Sequence, residues 1–564
     1  MKLKKSLLIN LYLGLVVAAI ITSLSQQGLL KRLEFSGLDT FFRLKQNTAY
    51  NDRIIIIEIS DYDVVKVGRW PWERKWEAAI AQALARLGAK YIYFDMIFSE
   101  AAGAADDSLL EEAIRSSKNV YLPFVFQDTS FDIQKAFLPL PRFEGSSKGT
   151  GAFNIYPDID GTTRRIPLIF AGKDKIYPHA ALKIALDDMG LEIKNIAPQY
   201  LTLSGPGKEV KMPLVERNNM LINWAGKWKH TFKHYSFTDV LAAYKDYLGG
   251  EPAKINLAEF KNSICLVAVT AIGLYDIKSV PLEPEYPGIG IFATALSNIM
   301  EQNFLYPVAR WVPILLLYLL AMLPAFLIFG ERPFKETFAV LLVGVAYFAV
   351  DFSLFRINIW LDSSLPLLGL FGSSLAIETY NFIRVALERQ SFFNMSITDG
   401  LTGLYNIRYF RMLLDTEVLM AKHDPTKKFA LVMADVDHFK HFNDTYGHQV
   451  GDLVLKEIAS ILKNSVRSSD IAARYGGEEM ILLLRGSSLK DGLNVAEKIR
   501  KVVENSPVKG QNASYKATVS LGVSIFRPGD NSDMLIKRAD EALYQAKESG
   551  RNRVTSLEQG HPST

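Results

Sequence analysis

The chain has 564 residues, which at roughly 100–200 residues per domain amounts to about three to five units. Apolar residues make up 49% and charged residues 22%, with a mean hydropathy of +0.08, too apolar for a disordered chain and high for a wholly soluble enzyme. A net charge of +4 argues against a nucleic-acid partner, and the single cysteine, Cys265, excludes an intrachain disulfide and a cysteine-rich zinc cluster. Soluble domains joined to a few membrane helices account for this balance.

Four apolar runs approach the ~20 residues that a helix needs to cross a bilayer: Leu7–Leu24, Trp311–Phe329, Phe338–Phe355 and Ile359–Ile383. The first follows Lys2, Lys4 and Lys5 and has no small-x-small cleavage site after it, so it reads as an uncleaved anchor rather than a signal peptide. If all four cross, the N-terminal lysines, Arg332, Lys335, Arg384 and Arg389 share one side, and only Arg310 and Arg356 fall on the other. The excess of positive charge makes that first side cytoplasmic. The expected layout is 1–24 as a cytoplasmic start and first membrane helix, 25–307 as an extracytoplasmic domain and 308–383 as three further membrane helices. A linker or helical stalk follows at 384–398, then a cytoplasmic domain at 399–556 and a tail at 557–564.

Residues 25–307 read as mixed α/β. Arg53–Ser60 and Tyr91–Phe98 are short β-rich runs, and Trp72–Leu87 between them has helical spacing with Pro71 suited to a first turn. The spacing predicts a parallel βαβ unit. Asp61, Trp70-Pro71-Trp72, Asp95, Asp158-Ile-Asp-Gly161, Arg164, Arg165, Pro167, Tyr177-Pro-His-Ala180 and Pro287-Gly288 punctuate this stretch. Each alone fits a turn or a core position, and no nucleophile–base pair or metal spacing occurs among them. Together and in this order they resemble the extracellular CHASE-type sensor domain of the second class, a family that places three membrane helices after the sensor. The resemblance implies reception of an extracytoplasmic ligand that it does not identify.

Between the last apolar run and Asp399, apolar positions at Ile383, Leu387, Phe393 and Ile397 fit either a helical stalk or a plain linker. Asp399-Gly-Leu-Thr-Gly-Leu-Tyr-Asn406 is a glycine-punctuated turn leading into an amphipathic helix at Ile407–His423. Lys428–Asp437 is a buried strand ending in two carboxylates, Asp435 and Asp437, a suitable place to hold Mg²⁺ against a triphosphate. Ala473–Leu484 reads as two strands meeting at Gly476-Gly477, which brings Glu478 and Glu479 to the turn, where they add a second carboxylate to Asp435.

Residues 399–556 resemble a GGDEF diguanylate cyclase domain over its full length, with the signature standing as Gly476-Gly-Glu-Glu-Met480. The methionine replaces an aromatic residue and fills similar apolar space. The resemblance implies an α+β nucleotidyl-cyclase-like fold with a ferredoxin-like core, and catalysis through Asp435, Glu478 and Glu479. It implies a metal, Mg²⁺ or Mn²⁺, on Asp435, the Val436 carbonyl and Glu478. GTP would be held by Asn443 and Asp452 at guanine and by His438, Phe439, Lys440, Lys547 and Arg551 at the phosphates. One such domain holds one GTP, so homodimerisation is required to make cyclic di-GMP. Arg467 and Asp470, the latter six residues before Gly476, match the family's inhibitory product site; their other reading is a surface salt bridge. The expected protein is a multi-pass sensory diguanylate cyclase of the bacterial inner membrane. The competing readings are a catalytically silent cyclic di-GMP receptor using Arg467 and Asp470, and a cyclase of adenylyl or mixed nucleotide preference on the same fold.

Overall fold

The computed structural model describes residues 2–45, 49–172, 175–274, 276–328, 333–424, 426–510 and 514–557. Nearly all of the predicted tail, and Arg332, lie outside them. The chain divides into two units, Met1–Tyr380 and Asn381–Thr564.

In the N-terminal unit a seven-stranded sheet runs in the order Lys233–Ser236, Ile54–Ile59, Ile264–Val269, Tyr91–Phe94, Val120–Phe126 and Ala136–Phe137, with Gly149–Ala152 also paired to Val120–Phe126. All of these pairs are parallel except that of Ala136–Phe137. Parallel strands are buried on both faces, which is why Ile54-Ile-Ile-Ile57 carries no alternation. Ile55, Ile57 and Ile59 meet the helices Lys75–Arg86, Ala104–Ser117 and Phe237–Gly249, while Ile54 and Ile56 meet Ala180–Met189 and Gly288–Met300.

The predicted strand–helix–strand unit is present with two corrections. Ile264–Val269 inserts between the two strands and pairs with both, so they share a sheet without touching. The helix starts at Lys75, with Arg74 as its N-cap, so Pro71 stands outside the first turn. Trp72 instead donates its indole N–H to the Gly68 carbonyl at 2.9 Å and packs on Phe237.

Arg164, 1% exposed, is the centre of a buried ion cluster. Its guanidinium grips Asp39 bidentately at 2.6 and 2.7 Å and also bonds Asp158 at 3.2 Å and Asp160 at 2.7 Å. Arg165 takes the other oxygen of Asp158 at 2.6 Å. The run Asp158–Arg165 is thus a structural clamp, and Asp39 brings the helix Lys31–Lys45 into it. That helix follows the first apolar helix and packs Phe41 and Phe42 against Phe355, tilted and edge-to-face, with ring centroids 5.3 and 5.1 Å apart.

The expectation of four spanning helices is corrected to two candidates among the described residues. Ser6–Gln26 and Phe334–Arg356, of 21 and 23 residues, are long and apolar enough to cross a membrane. Trp311–Phe329 is divided at Pro324 into Trp311–Met322 and Pro324–Leu327. In the fourth run, Ile359–Trp360 pairs with Tyr306–Pro307 as a short strand, and the helix Ser364–Ile397 carries Ser373, Ser374, Glu378 and Asn381 along its apolar half. That 34-residue helix covers the predicted stalk as far as Ile397. Gln26 leads through a short turn into the helix Lys31–Lys45, and Phe355 packs on that same helix, so both long apolar helices end against the α/β layer.

In the C-terminal unit the sheet order is Tyr405–Asn406, Ile471–Arg474, Glu479–Arg485, Phe429–Val436, Val519–Ile525 and Val554–Thr555. The first long strand, Phe429–Val436, lies between antiparallel partners on both sides and is buried at every position. Ala430, Val432, Ala434 and Val436 face His448–Ser465 and Leu489–Asn505, while Phe429, Leu431 and Met433 face Ile407–His423 and Ser532–Glu548. This is the ferredoxin-like core that the resemblance implies.

Arg164→Leu should destabilise the full-length protein by about 3–5 kcal/mol in chemical unfolding, because it leaves buried carboxylates without their cation. Asp160→Asn should cost less, since that carboxylate is 23% exposed and Arg164 keeps Asp39 and Asp158. The Arg164 guanidinium is the main cause holding Asp160 below its ordinary carboxylate range, so this contribution is present at neutral pH and is lost as acid takes the solution below about pH 4.

Candidate functional site

The strand Phe429–Val436 ends with Asp435 opposite Glu479 on one neighbour and Ser520 on the other. Asp435 is 6% exposed, and its Oδ2 lies 2.8 Å from Lys547 Nζ, delivered by the last turn of Ser532–Glu548. Burial pushes the Asp435 carboxyl above its ordinary range; Lys547 opposes this, and the charges of Glu478 and Asp437 reinforce it. Burial also raises Glu479, and the charge of Asp435 raises it further. Carboxylates crowded against one ammonium form a set whose charge favours a hard cation. Among the described residues no three His, Cys, Asp or Glu side chains form a ready metal cluster. Two carboxylates and a carbonyl still fit Mg²⁺, which takes most of its oxygens from phosphates and water.

Ile471–Arg474 and Glu479–Arg485 form the expected hairpin, closed by the Tyr475 N–H to the Glu479 carbonyl at 2.9 Å. A Cβ on Gly476 would lie 2.8 Å from Glu479 Oε2, so glycine makes room for that carboxylate. The turn is braced by a residue the sequence reading missed. Arg474 donates to the Gly477 carbonyl at 2.6 Å and to the Asp399 carboxylate at 3.1 Å. Asp399, two residues after the helix ending at Ile397, thereby reaches the signature turn through one guanidinium. An arginine two residues before a Gly-Gly turn was the available signal; its partner 75 positions away was not.

The second carboxylate of the strand motif has a different task from the first. Asp437 accepts from Thr518 Oγ1 at 2.7 Å, Ser520 Oγ at 2.6 Å and the Asn552 N–H at 3.0 Å. His438, at φ 55°, starts the helix Phe439–Tyr446, with Phe439 buried and Lys440 exposed. Asn443 has a buried amide oxygen with no partner and lies against Gly451, where a Cβ would collide with it. Asp452 follows directly and is exposed in the first turns of His448–Ser465. Arg551 stands in the turn after Lys547, its N–H bonded to the Ala546 carbonyl at 3.0 Å.

Arg467 and Asp470 lie at the other end of the hairpin from Gly476. Among the described residues no ion pair joins them. The Asp470 carboxylate accepts instead from the backbone N–H of Arg467 at 3.0 Å and of Arg485 at 3.1 Å, leaving the Arg467 side chain exposed.

A family model of the CHASE2 domain matches residues 15–328, and one of the diguanylate cyclase GGDEF domain matches 396–553. Diguanylate cyclase A of Treponema denticola is 40% identical over 174 residues, covering 30% of this chain and 47% of that protein. The response regulator PleD of Caulobacter vibrioides is 45% identical over 163 residues, covering 28% and 36%. The chain thus spans less than half the length of these curated relatives. A crystal structure of the coiled coil and GGDEF domain of DgcB from Caulobacter crescentus with c-di-GMP is 34% identical, covering 33% of this chain and 98% of that one, with a TM-score of 0.31. With more than half its length matched by the first model, the chain belongs to the CHASE2-domain family, and it carries a GGDEF domain of the diguanylate cyclase family after it.

Proposed function

We propose that the protein is a membrane-bound sensory diguanylate cyclase that joins two GTP molecules into cyclic di-GMP and releases two pyrophosphates. One observation carries this reading: the Asp435 carboxylate, paired with Lys547, emerges opposite Glu479 at the Gly476-Gly477 turn of a GGDEF domain. Asp435, Glu478 and the Val436 carbonyl would hold Mg²⁺ or Mn²⁺, with Glu479 beside them. Such a cation, when bound, supplies charge neutralisation on the triphosphate. Lys440, Lys547, Arg551 and the N–H groups of His438 and Phe439 orient the phosphates and offset charge that grows as pyrophosphate leaves. Asp452 accepts from guanine N1–H and its amino group, and the unpaired amide oxygen of Asn443 offers a further acceptor.

Each domain holds one GTP, so two copies face each other. The 3′-oxygen of one nucleotide attacks the α-phosphorus of the other, the bond to pyrophosphate breaks, and a second such step closes the ring. Exposed Leu387, Phe392 and Phe393 on the helix Ser364–Ile397 favour pairing of two copies along it. The sensor is taken to lie outside the cytoplasm of a bacterial cell and the cyclase inside. Both long apolar helices end against the α/β layer, with Lys2, Lys4, Lys5 and Lys335 at their opposite ends, so this placement also requires the shorter apolar helix Trp311–Leu327 and the apolar half of Ser364–Ile397 to carry the chain back across. An extracytoplasmic ligand would act through the helices, and cyclic di-GMP would act at Arg467 and Asp470. The test of the whole reading is mass spectrometry of the product formed by purified full-length protein from GTP and Mg²⁺.

Glu478→Ala should lower product formation by orders of magnitude while the unfolding midpoint stays within experimental scatter, because a turn carboxylate and not a core side chain is lost. Retention of more than about a tenth of the activity in a folded variant would count against a metal role for Glu478. Asp452→Ser should weaken discrimination between GTP and ATP in competition assays; equal discrimination would mean that guanine is read elsewhere. Arg467→Ala should leave the initial velocity unchanged and let product accumulate beyond the level at which the parent slows. Progress curves with added cyclic di-GMP decide this, and inhibition that excess GTP overcomes would contradict a separate regulatory site. Arg467 is the cleaner target, because Asp470 also holds two backbone N–H groups.

A further inference from the structure

Two adjacent residues after the helix Ser532–Glu548, Arg551 and Asn552, have φ of 61° and 44°. This left-handed region is disfavoured for residues with a Cβ, so the surroundings must impose it. The Asn552 backbone N–H donates to Asp437 Oδ2 at 3.0 Å, and Asp437 is itself fixed by Thr518 and Ser520. The Asn552 side chain is held from the opposite direction. Its Oδ1 accepts from Arg500 Nη1 at 2.8 Å, and its Nδ2 donates to Glu504 Oε1 at 2.7 Å. Arg500 is braced in turn by Glu497 and Glu504, each at 2.8 Å. The turn is therefore clamped between the end of the strand that carries Asp435 and the helix Leu489–Asn505.

We infer that Asp437 and Asn552 are positioning residues. They hold the backbone of the 551–552 turn so that the Arg551 guanidinium stands at the phosphate end of the site, four residues beyond the Lys547 that pairs with Asp435. This inference deepens the cyclase reading and rests on its placement of the triphosphate. It also separates the two aspartates of the strand motif: Asp435 would hold the cation, and Asp437 sets the arginine. An arginine that meets the triphosphate in both ground and transition state acts mainly on KM, and so does whatever positions it.

The experiment uses full-length protein in detergent micelles, with GTP kinetics and equilibrium binding of a non-hydrolysable GTP analogue. The variants are Asn552→Ala, Arg551→Ala and the pair together. Asn552→Ala is expected to raise KM and the analogue's Kd about tenfold, with kcat changing less than about threefold. In the Arg551→Ala background the same change should add less than about twofold, because residues that act through one another are not additive. Losses that multiply, or an unchanged analogue Kd for folded Asn552→Ala, would overturn the inference. If Asn552→Ala fails to fold, Glu504→Ala at an exposed helix position takes its place. It is expected to raise KM about threefold alone and not at all beside Arg551→Ala; no effect in the parent background overturns the inference equally. A parent that binds the analogue but makes no cyclic product would sink the cyclase reading alone, since the binding arm still reads the position of Arg551.

Discussion

The ion pair between Asp435 and Lys547 is the contact on which the candidate site of the C-terminal unit depends. A carboxylate at the end of a wholly buried strand loses hydration and needs a cation, and the sheet brings Glu479 to face it, adding to the charge. Lysine answers this need only because the helix Ser532–Glu548 packs along the sheet with its last turn at the strand end. The same packing sets where the following turn begins and hence where Arg551 stands. A site of concentrated negative charge with one ammonium is poised to take a divalent cation together with a polyphosphate, and poorly suited to either an apolar ligand or a bare anion.

Around that pair, the charged residues of the domain divide into those left exposed and those used up in holding backbone. Asp437, Arg474, Asp399 and Asp470 all direct their side chains at turns: the 551–552 turn, the signature hairpin, the start of the domain and the far end of the hairpin. Lys440, Asp452 and Arg467 remain exposed. The contrast has a physical origin, since a carboxylate that accepts from several N–H or O–H groups is expensive to displace, whereas an exposed one keeps its capacity for a ligand. The link from Asp399 through Arg474 to the Gly477 carbonyl also gives the end of the helix Ser364–Ile397 a direct mechanical connection to the signature turn.

In the N-terminal unit a comparable economy joins the sensor to its helices. Arg164 holds Asp39 of the helix Lys31–Lys45, and the far end of that helix places Lys45 between Asn223 and Asn358, at 3.0 and 2.7 Å. Burial without a carboxylate partner pushes the Lys45 ammonium down to about 8. Asn358 lies in the turn between Pro333–Arg356 and Ser364–Ile397, so one helix contacts the sensor core and the junction of two later helices through polar groups. A rearrangement of the α/β layer would therefore be felt at that junction.

The residue pattern alone determined a good deal: the β-rich run at Ile54, the buried strand ending at Asp435 and the hairpin at Gly476-Gly477. Each rests on local physics, because strand burial, turn glycines and helical spacing are written in neighbouring residues. The membrane reading shows where that locality fails. Apolar runs at Trp311 and Ile359 counted as spans by composition, but Pro324 divides one and the other begins as a strand paired to Tyr306–Pro307. Only the tertiary structure could insert Ile264–Val269 between two strands that precede it, since periodicity reports which face is buried and not which strand lies alongside. It alone could assign Asp437 to the 551–552 turn and Arg164 to Asp39, at separations of 115 and 125 residues. Both aspartates look identical in sequence to a metal ligand or a solvated turn, and what distinguishes them is the partner that folding brings within hydrogen-bond reach.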